Sequence, residues 1–152
     1  MDWIIRCGLV DDTEILVKFN EQMALETEGK VLDQQIVSRG VWRALQGAPE
    51  TRYYVAEHQQ QVIGQLMVTR EWSDWRDGWL WWLQSVYVDP KFRGRGVFRS
   101  LVVHVLKLAE QAPDTVGVRL YVERENRAAQ AVYQRTGFQD SGYLVLEKML
   151  SP

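Results

Sequence analysis

One cysteine, Cys7, is all the chain has, which excludes a disulfide framework and a cysteine-based zinc site. Its two histidines, His58 and His104, have no Ser, Cys or carboxylate partner at a recognisable spacing, so neither a hydrolase triad nor a metal site is expected. Nor is there an excess of one charge. Eighteen Lys+Arg against twenty Asp+Glu leave a net charge of −2, without the basic balance of a nucleic-acid binder. Long hydrophobic runs are missing as well: Trp79-Leu-Trp-Trp-Leu83 falls far short of the ~20 residues that cross a bilayer. Met1-Asp-Trp-Ile-Ile-Arg6 lacks the basic and then apolar regions of a signal peptide. No linker, repeat or low-complexity tract breaks the chain. What remains is 152 residues, 46% hydrophobic and 25% charged, expected to form a single cytoplasmic domain over 1–152 with no nucleic-acid or membrane partner.

Apolar spacing divides this chain into elements. Ile4 and Ile5 lead a short strand that ends near Gly8. Asp11, three residues ahead of Glu14, is expected to cap a helix in which Ile15, Leu16, Phe19 and Met23 share a face. A second helix is expected from Asp33 to Gln46, with Ile36, Val37, Val41 and Leu45 inward. From Arg52 the period shortens to two, and Tyr53–Glu57 and Val62–Arg70 read as an antiparallel hairpin joined through His58–Gln61. A polar, aromatic turn is expected over Glu71–Gly78. Trp79–Val88, almost continuously apolar, reads as a central strand buried on both faces, and Asp89-Pro90 ends it. A helix over Val97–Ala112 and a strand over Val118–Val122 complete a βαβ unit, so the two strands are expected to be parallel neighbours. The last helix spans Asn126 to Arg135 with Gly137 as its C′ residue, and Phe138–Leu150 is expected to close the chain as one or two strands. The sum is an α/β or α+β three-layer sandwich: a mixed, largely antiparallel sheet with helices on both faces.

The most informative stretch runs from Val86 to Leu101, where a buried strand, a turn and a glycine-rich loop lead straight into a helix. Free backbone N–H groups and the positive end of the helix dipole converge at such a point and favour an anion. Gly94 and Gly96 allow close backbone approach, and Lys91, Arg93, Arg95 and Arg99 surround the loop with positive charge. It is no Walker A loop, since no Gly-Lys-Ser/Thr ends it. Arg99 stands where the third glycine of a dinucleotide fingerprint would fall.

The loop does not stand alone. Arg93-Gly94-Arg95-Gly96-Val97-Phe98, after the Val86–Val88 strand, resembles motif A of the GNAT superfamily of N-acetyltransferases, whose pattern is Arg/Gln-x-x-Gly-x-Gly/Ala. Asn126, with Tyr133 seven residues on and Gly137-Phe138 behind it, is similar to the helix that follows in that family. The resemblance covers essentially the whole chain. One departure is Phe98, where the family has Gly or Ala; it puts a large side chain beside the expected path of the ligand.

The resemblance implies a GNAT-like acyl-CoA N-acyltransferase fold and acetyl-CoA (coenzyme A) as the bound ligand. The implied reaction moves the acetyl group to a primary amine of a small molecule or protein by direct attack in a ternary complex. The amides from Arg93 through Gly94, Arg95, Gly96, Val97 and Phe98 to Arg99 are implied to hold the pyrophosphate. Val86 and Val88 would pair with the pantetheine arm as an extra strand does, and Asn126 completes the cofactor set. The same strand would donate an N–H to the thioester oxygen, whose charge rises as the amine attacks. Tyr133 is implied as general acid for the departing thiolate. Tyrosine titrates near ~10 and a thiol near ~8.5, so full transfer is uphill by roughly 2 kcal/mol, tolerable late in the reaction.

The acceptor side is less marked. Glu71 at the end of one strand, Gln84 inside the central one and Glu123 at the end of the next lie near the expected cleft; Gln84 does not titrate, which leaves Glu71, Glu123 or a relay of waters as base. Five of the seven tryptophans fall within Trp72–Trp82. Alternation sends Trp79 and Trp81 to one face and Trp82 to the other, with a core role expected for some. Trp72 and Trp75, in the polar turn, suit a cationic acceptor through cation–π contact, or a lid or subunit interface. Two other functions compete with the enzyme: a non-catalytic acyl-CoA-binding sensor or regulatory domain, and an aromatic binding module built on Trp72 and Trp75. The chain is expected to be a monomer or homodimer.

Overall fold

Period-two patterning builds five strands, seen in a computed structural model that describes residues 2–48 and 50–150. They are β1 (Ile4–Cys7), β2 (Arg52–His58), β3 (Gln61–Ser73), β4 (Gly78–Val88) and β5 (Thr115–Leu120), paired in the order β1-β2-β3-β4-β5. The first four are antiparallel and β4 pairs β5 in parallel, as the βαβ reading requires. The helices are α1 (Thr13–Glu28), α2 (Gln34–Leu45), α3 (Val97–Gln111) and α4 (Arg127–Arg135). The chain divides into two compact units, one reaching Leu120 and one starting at Tyr121 and containing α4.

In the first unit, Leu16, Val17 and Phe19 of α1 and Val41 and Ala44 of α2 pack on Tyr53, Val55 and Tyr87 of one sheet face. On the other face α3 buries Val97, Leu101, Val102, Val105 and Ala109. It sits close to β3: a Cβ at Gly64 would lie 3.2 Å from Leu101 Cδ1. These are the three expected layers.

Several local expectations are corrected. Asp11 does not cap α1; the helix starts at Thr13, and the Asp12 carboxylate instead accepts the Leu9 N–H at 2.7 Å and the Arg6 guanidinium. In α2, Ile36 is exposed and Ala44 is buried in its place, because the inward stripe follows Val37, Val41 and Ala44 at helical spacing. The expected turn over Glu71–Gly78 is half strand: β3 runs to Ser73, Trp72 pairs with Trp79, and 74–77 turn. Strand β5 starts three residues earlier than Val118 and ends at Leu120. Residues 138–150 form no strand, and Leu144, Leu146, Met149 and Leu150 are exposed. Apolar, β-prone sequence makes a strand only with a ladder to join, since what stabilises it is its cross-strand neighbours.

The second unit explains part of its motif. Asn126 caps α4, its Oδ1 accepting the Ala129 N–H at 3.2 Å. At the other end Gly137 takes φ +100, its N–H reaching Gln134 O at 3.1 Å and that of Phe138 reaching Tyr133 O at 3.0 Å. This is a Schellman cap, and its apolar contact is the Tyr133–Phe138 ring pair, 5.5 Å between centroids. Tyr133, Gly137 and Phe138 therefore belong together for a folding reason as well as any chemical one.

Candidate functional site

The ladder between β4 and β5 ends at Leu83↔Leu120. Beyond it β4 is irregular: Gln65 pairs with Tyr87 but Met67 with Gln84, so β4 carries one residue too many at Ser85–Val86. Ser85 takes φ +52, a left-handed conformation unusual for a residue with a side chain. Its carbonyl accepts Gln65 Nε2 at 3.0 Å. Further on, the Asp89 N–H reaches Ile63 O at 2.9 Å, so alternation turns the peptide groups of Val86 and Val88 to the edge away from β3.

Past β4, Asp89 Oδ1 accepts the Lys91 N–H at 2.9 Å and starts a single 3-10 turn over Pro90–Phe92. Then Gly94 and Gly96 take φ +76 and +91. A Cβ on either would meet no atom within 4 Å, so glycine is required here by conformation, with open space in front of both. Gly96 caps α3 without any side-chain acceptor, and the first turn holds no acidic residue. The Ser100 N–H bonds to Gly96 O and opens the helical ladder of α3, whose N-terminal end faces the glycine loop. Val97 is buried, Phe98 half-buried and Arg99 exposed.

Arg93 behaves differently from the ring of cations expected around the loop. Its Nε donates to Val88 O at 3.0 Å, its Nη2 to Glu26 Oε2 at 2.8 Å, and its guanidinium lies 5.0 Å from the Tyr87 ring centre. The arginine braces the loop against β4 and α1, and it takes up the carbonyl of Val88. Glu26 also accepts the Tyr87 hydroxyl at 2.7 Å. Burial opposes the charged form of Glu26, but the bonds from Tyr87 and Arg93 outweigh it and hold the carboxyl below its usual range. Burial and the Glu26 carboxylate push the Tyr87 hydroxyl up to about 12.

The acceptor candidates divide. Glu71 accepts Trp82 Nε1 at 2.7 Å and Arg119 Nη1 at 3.3 Å, and Gln84 donates to Thr69 Oγ1 at 2.6 Å. Register puts Glu71, Thr69, Trp82, Gln84 and Arg119 on one face of the sheet, a polar row. Trp79 stacks edge-on with Trp72 at 5.0 Å and holds the Arg70 guanidinium at 4.3 Å on the other face. The face assignment of Trp79, Trp81 and Trp82 is as expected, but all three are half-buried rather than core. Trp72 is exposed, and Trp75, at the hairpin tip, is 85% exposed.

In the second unit Glu123 closes a turn before α4, its Oε2 accepting the Glu125 N–H at 2.7 Å. Tyr133 is buried, and burial raises its hydroxyl above the ordinary tyrosine range. Sequence reasoning missed Gln65, Asn20, Glu26 and Arg119. Gln65 did leave a signal, as the one polar side chain inside Val62–Val68. Among the described residues, no three His, Cys, Asp or Glu are grouped to hold a metal ion, and no helix is long and apolar enough to cross a membrane.

The model of the Acetyltransferase (GNAT) family matches residues 18–138. The crystal structure of a possible acetyltransferase from Clostridium difficile 630 is 37% identical, with a TM-score of 0.91 and 99% of each chain covered. A predicted acetyltransferase from Clostridium acetobutylicum, crystallised with acetyl-CoA, shares the fold at 18% identity and a TM-score of 0.77 over 96% of each chain. The peptidyl-lysine N-acetyltransferase YjaB of Salmonella typhimurium is 28% identical over 105 residues, 68% of this chain and 61% of that protein. The chain thus spans less than two thirds of the length of the curated relatives it matches.

Proposed function

The chain belongs to the GNAT family of acetyltransferases, and from that premise we propose that it is an acetyl-CoA-dependent N-acetyltransferase, working in the cytosol as one domain on a primary amine of a small molecule or protein. The observation that carries the reading is the second half of β4: a strand edge with no β5 neighbour, bulged at Ser85, running into a helix start that lacks a side-chain cap. When bound, acetyl-CoA supplies an activated acetyl thioester whose sulfur leaves as an amine attacks.

The residues present fit that ligand. Gly94 and Gly96 have clear space in front of them, and the amides from Gly94 to Arg99, at a helix start, suit a pyrophosphate. The outward groups of Val86 and Val88 suit the amides of a pantetheine arm, with Val88 contributing its N–H because Arg93 holds its carbonyl. Phe98, half-buried, borders this path. Asn126 acts through α4, whose first turn it caps.

In the reaction the Val86 N–H donates to the thioester oxygen as negative charge grows there. Tyr133 serves the leaving sulfur. Burial keeps its hydroxyl protonated across the working pH range, so it is always a donor, and it shares its proton late rather than transferring it early. On the acceptor side, Glu71, fixed by Trp82 and Arg119, offers a carboxylate to the ammonium form of the amine. Trp72 and Trp75 offer ring faces to the same charge. Gln84, an amide held by Thr69, takes up no proton, so Glu71, Glu123 or a relay of waters receives the one that the ammonium loses before it attacks.

A screen of small amines and lysine peptides for thiol release from acetyl-CoA tests the reading. The lysine peptides are included because one relative is named a peptidyl-lysine N-acetyltransferase. Amine-dependent release with an acetylated product is expected; acetyl-CoA binding without release on any amine would leave a sensor in place of an enzyme.

A further inference from the structure

Gln65 is a costly residue to keep. It is fully buried in the middle of β3, and while its Nε2 bonds to Ser85 O at 3.0 Å and lies 3.3 Å from Asn20 Oδ1, its Oε1 has no partner among the described residues. A buried amide oxygen without a donor is destabilising, so a residue kept for stability alone would not leave it so. The donor end is held firmly. Asn20, also buried, gives its own Nδ2 to Leu16 O at 2.9 Å and to the Tyr53 hydroxyl at 3.2 Å, which orients its Oδ1 toward Gln65. Side chains from α1 and β2 thus stand behind Gln65, which holds one peptide group of β4.

That peptide group joins Ser85 to Val86. In a planar trans peptide the C=O and the N–H point in opposite directions. Drawing the Ser85 carbonyl inward therefore aims the Val86 N–H outward, at the edge where the β5 ladder has ended. The left-handed φ of Ser85 is the conformation this flip needs, and an unfavourable conformation persists only where its surroundings hold it.

We infer that Gln65, steadied by Asn20, is a positioning residue: it aims the Val86 N–H at the thioester oxygen and so sets the strength of the oxyanion donor without touching any reactant. This rests on the acetyltransferase reading above. The Gly94–Gly96 loop, which holds the pyrophosphate in that reading, has no part in this network, so donor aim and coenzyme affinity should separate.

The test is Gln65→Met, which keeps length and apolar bulk and deletes the amide C=O and NH2, beside Gln65→Leu, which deletes the same groups in a shorter side chain. Each is assayed for thiol release with the best amine and titrated with coenzyme A by calorimetry. The expected result is a kcat lower by roughly 10–100-fold, short of the ~10²–10³ for deleting an oxyanion donor outright, with coenzyme A affinity within about threefold of the parent. The Val86 amide resonance in the parent chain supplies a reading that needs no variant to fold. It should move downfield with acetyl-CoA more than with coenzyme A, since only the former carries the carbonyl. A folded Gln65→Met with unchanged kcat overturns the inference, as does one that loses affinity and kcat together, or a Val86 amide indifferent to the acetyl group. A parent chain that neither binds coenzyme A nor releases thiol overturns the acetyltransferase reading itself, and this inference with it.

Discussion

From Trp79 to Leu83, β4 is paired on both edges, with one register shift against β5 after Trp79 and tryptophans on alternate faces; from Gln84 to Val88 the same strand is bulged, has lost β5, and turns peptide groups outward. The first half presents side chains: Trp79 against Trp72 and Arg70, Trp82 on Glu71. The second presents backbone, and continues into a loop and helix start that also present backbone. A ligand read by backbone needs only the glycines and the geometry behind it. A ligand read by side chains can be changed by changing those side chains. The division matches an enzyme with a fixed acyl donor and a variable acceptor.

The sharpest way to break this comparison is at Gly96. Its φ of +91 strains any other residue, and Gly96→Glu adds a carboxylate where an anion is expected. Acetyl-CoA binding should fall below detection by calorimetry while the chain still folds, its melting temperature lowered only by the backbone strain, because nothing packs on Gly96. Undiminished affinity would remove the loop from the donor site.

Tyr133→Phe comes next. The ring stays, and with it the Phe138 contact and the Schellman cap. We expect kcat to fall roughly 10–100-fold with coenzyme affinity within a few-fold of the parent. Unchanged kcat under conditions where chemistry limits the rate would take Tyr133 out of the mechanism.

A smaller effect tests the brace behind the loop. Because the Glu26 carboxyl is held below its usual range, its bonds to Arg93 and Tyr87 stabilise the fold above the unfolded value of roughly 4.3 and are lost as pH falls through the lower folded value. Melting temperatures measured from pH 6 downward should decline in the parent through that window, and Glu26→Gln should remove part of the decline while weakening coenzyme binding several-fold. An identical decline in both proteins would show that Glu26 carries none of it.

The smallest expected change is on the tryptophan half. Trp72→Ala with Trp75→Ala should raise the acceptor KM and leave acetyl-CoA binding intact. Both side chains are exposed, so the stability loss should stay near the ~0.5–1.5 kcal/mol of the Trp72–Trp79 ring pair. Collapse of the fold instead would make them structural.

What could be read in the sequence follows the same division. The order of strands and helices to Leu120, the parallel β4–β5 pair and the glycine loop were legible, because periodicity and backbone chemistry leave local marks. The last helix and its Gly137 stop were legible for the same reason, whereas the capping role of Asn126 came from the structure. The Ser85 bulge was not, since its cause lies twenty residues away in Gln65 and further off in Asn20. Arg93 read as a ligand-facing cation because its partner Glu26 is distant in sequence. The expected strands over 138–150 failed because apolar, β-prone residues mark a tendency to pair, and say nothing of whether a partner edge is supplied.

The central claim, that the bulged half of β4 and the glycine loop bind the acyl donor through their backbone, is tested most directly by following amide and indole ¹⁵N–¹H resonances during titration with acetyl-CoA. The amides of Val86 and of Gly94 to Arg99 should shift together and saturably, while the Trp82 indole N–H, bonded to Glu71, should move only when an acceptor amine is added. Loop and Val86 amides that stay in place at saturating acetyl-CoA would contradict the account.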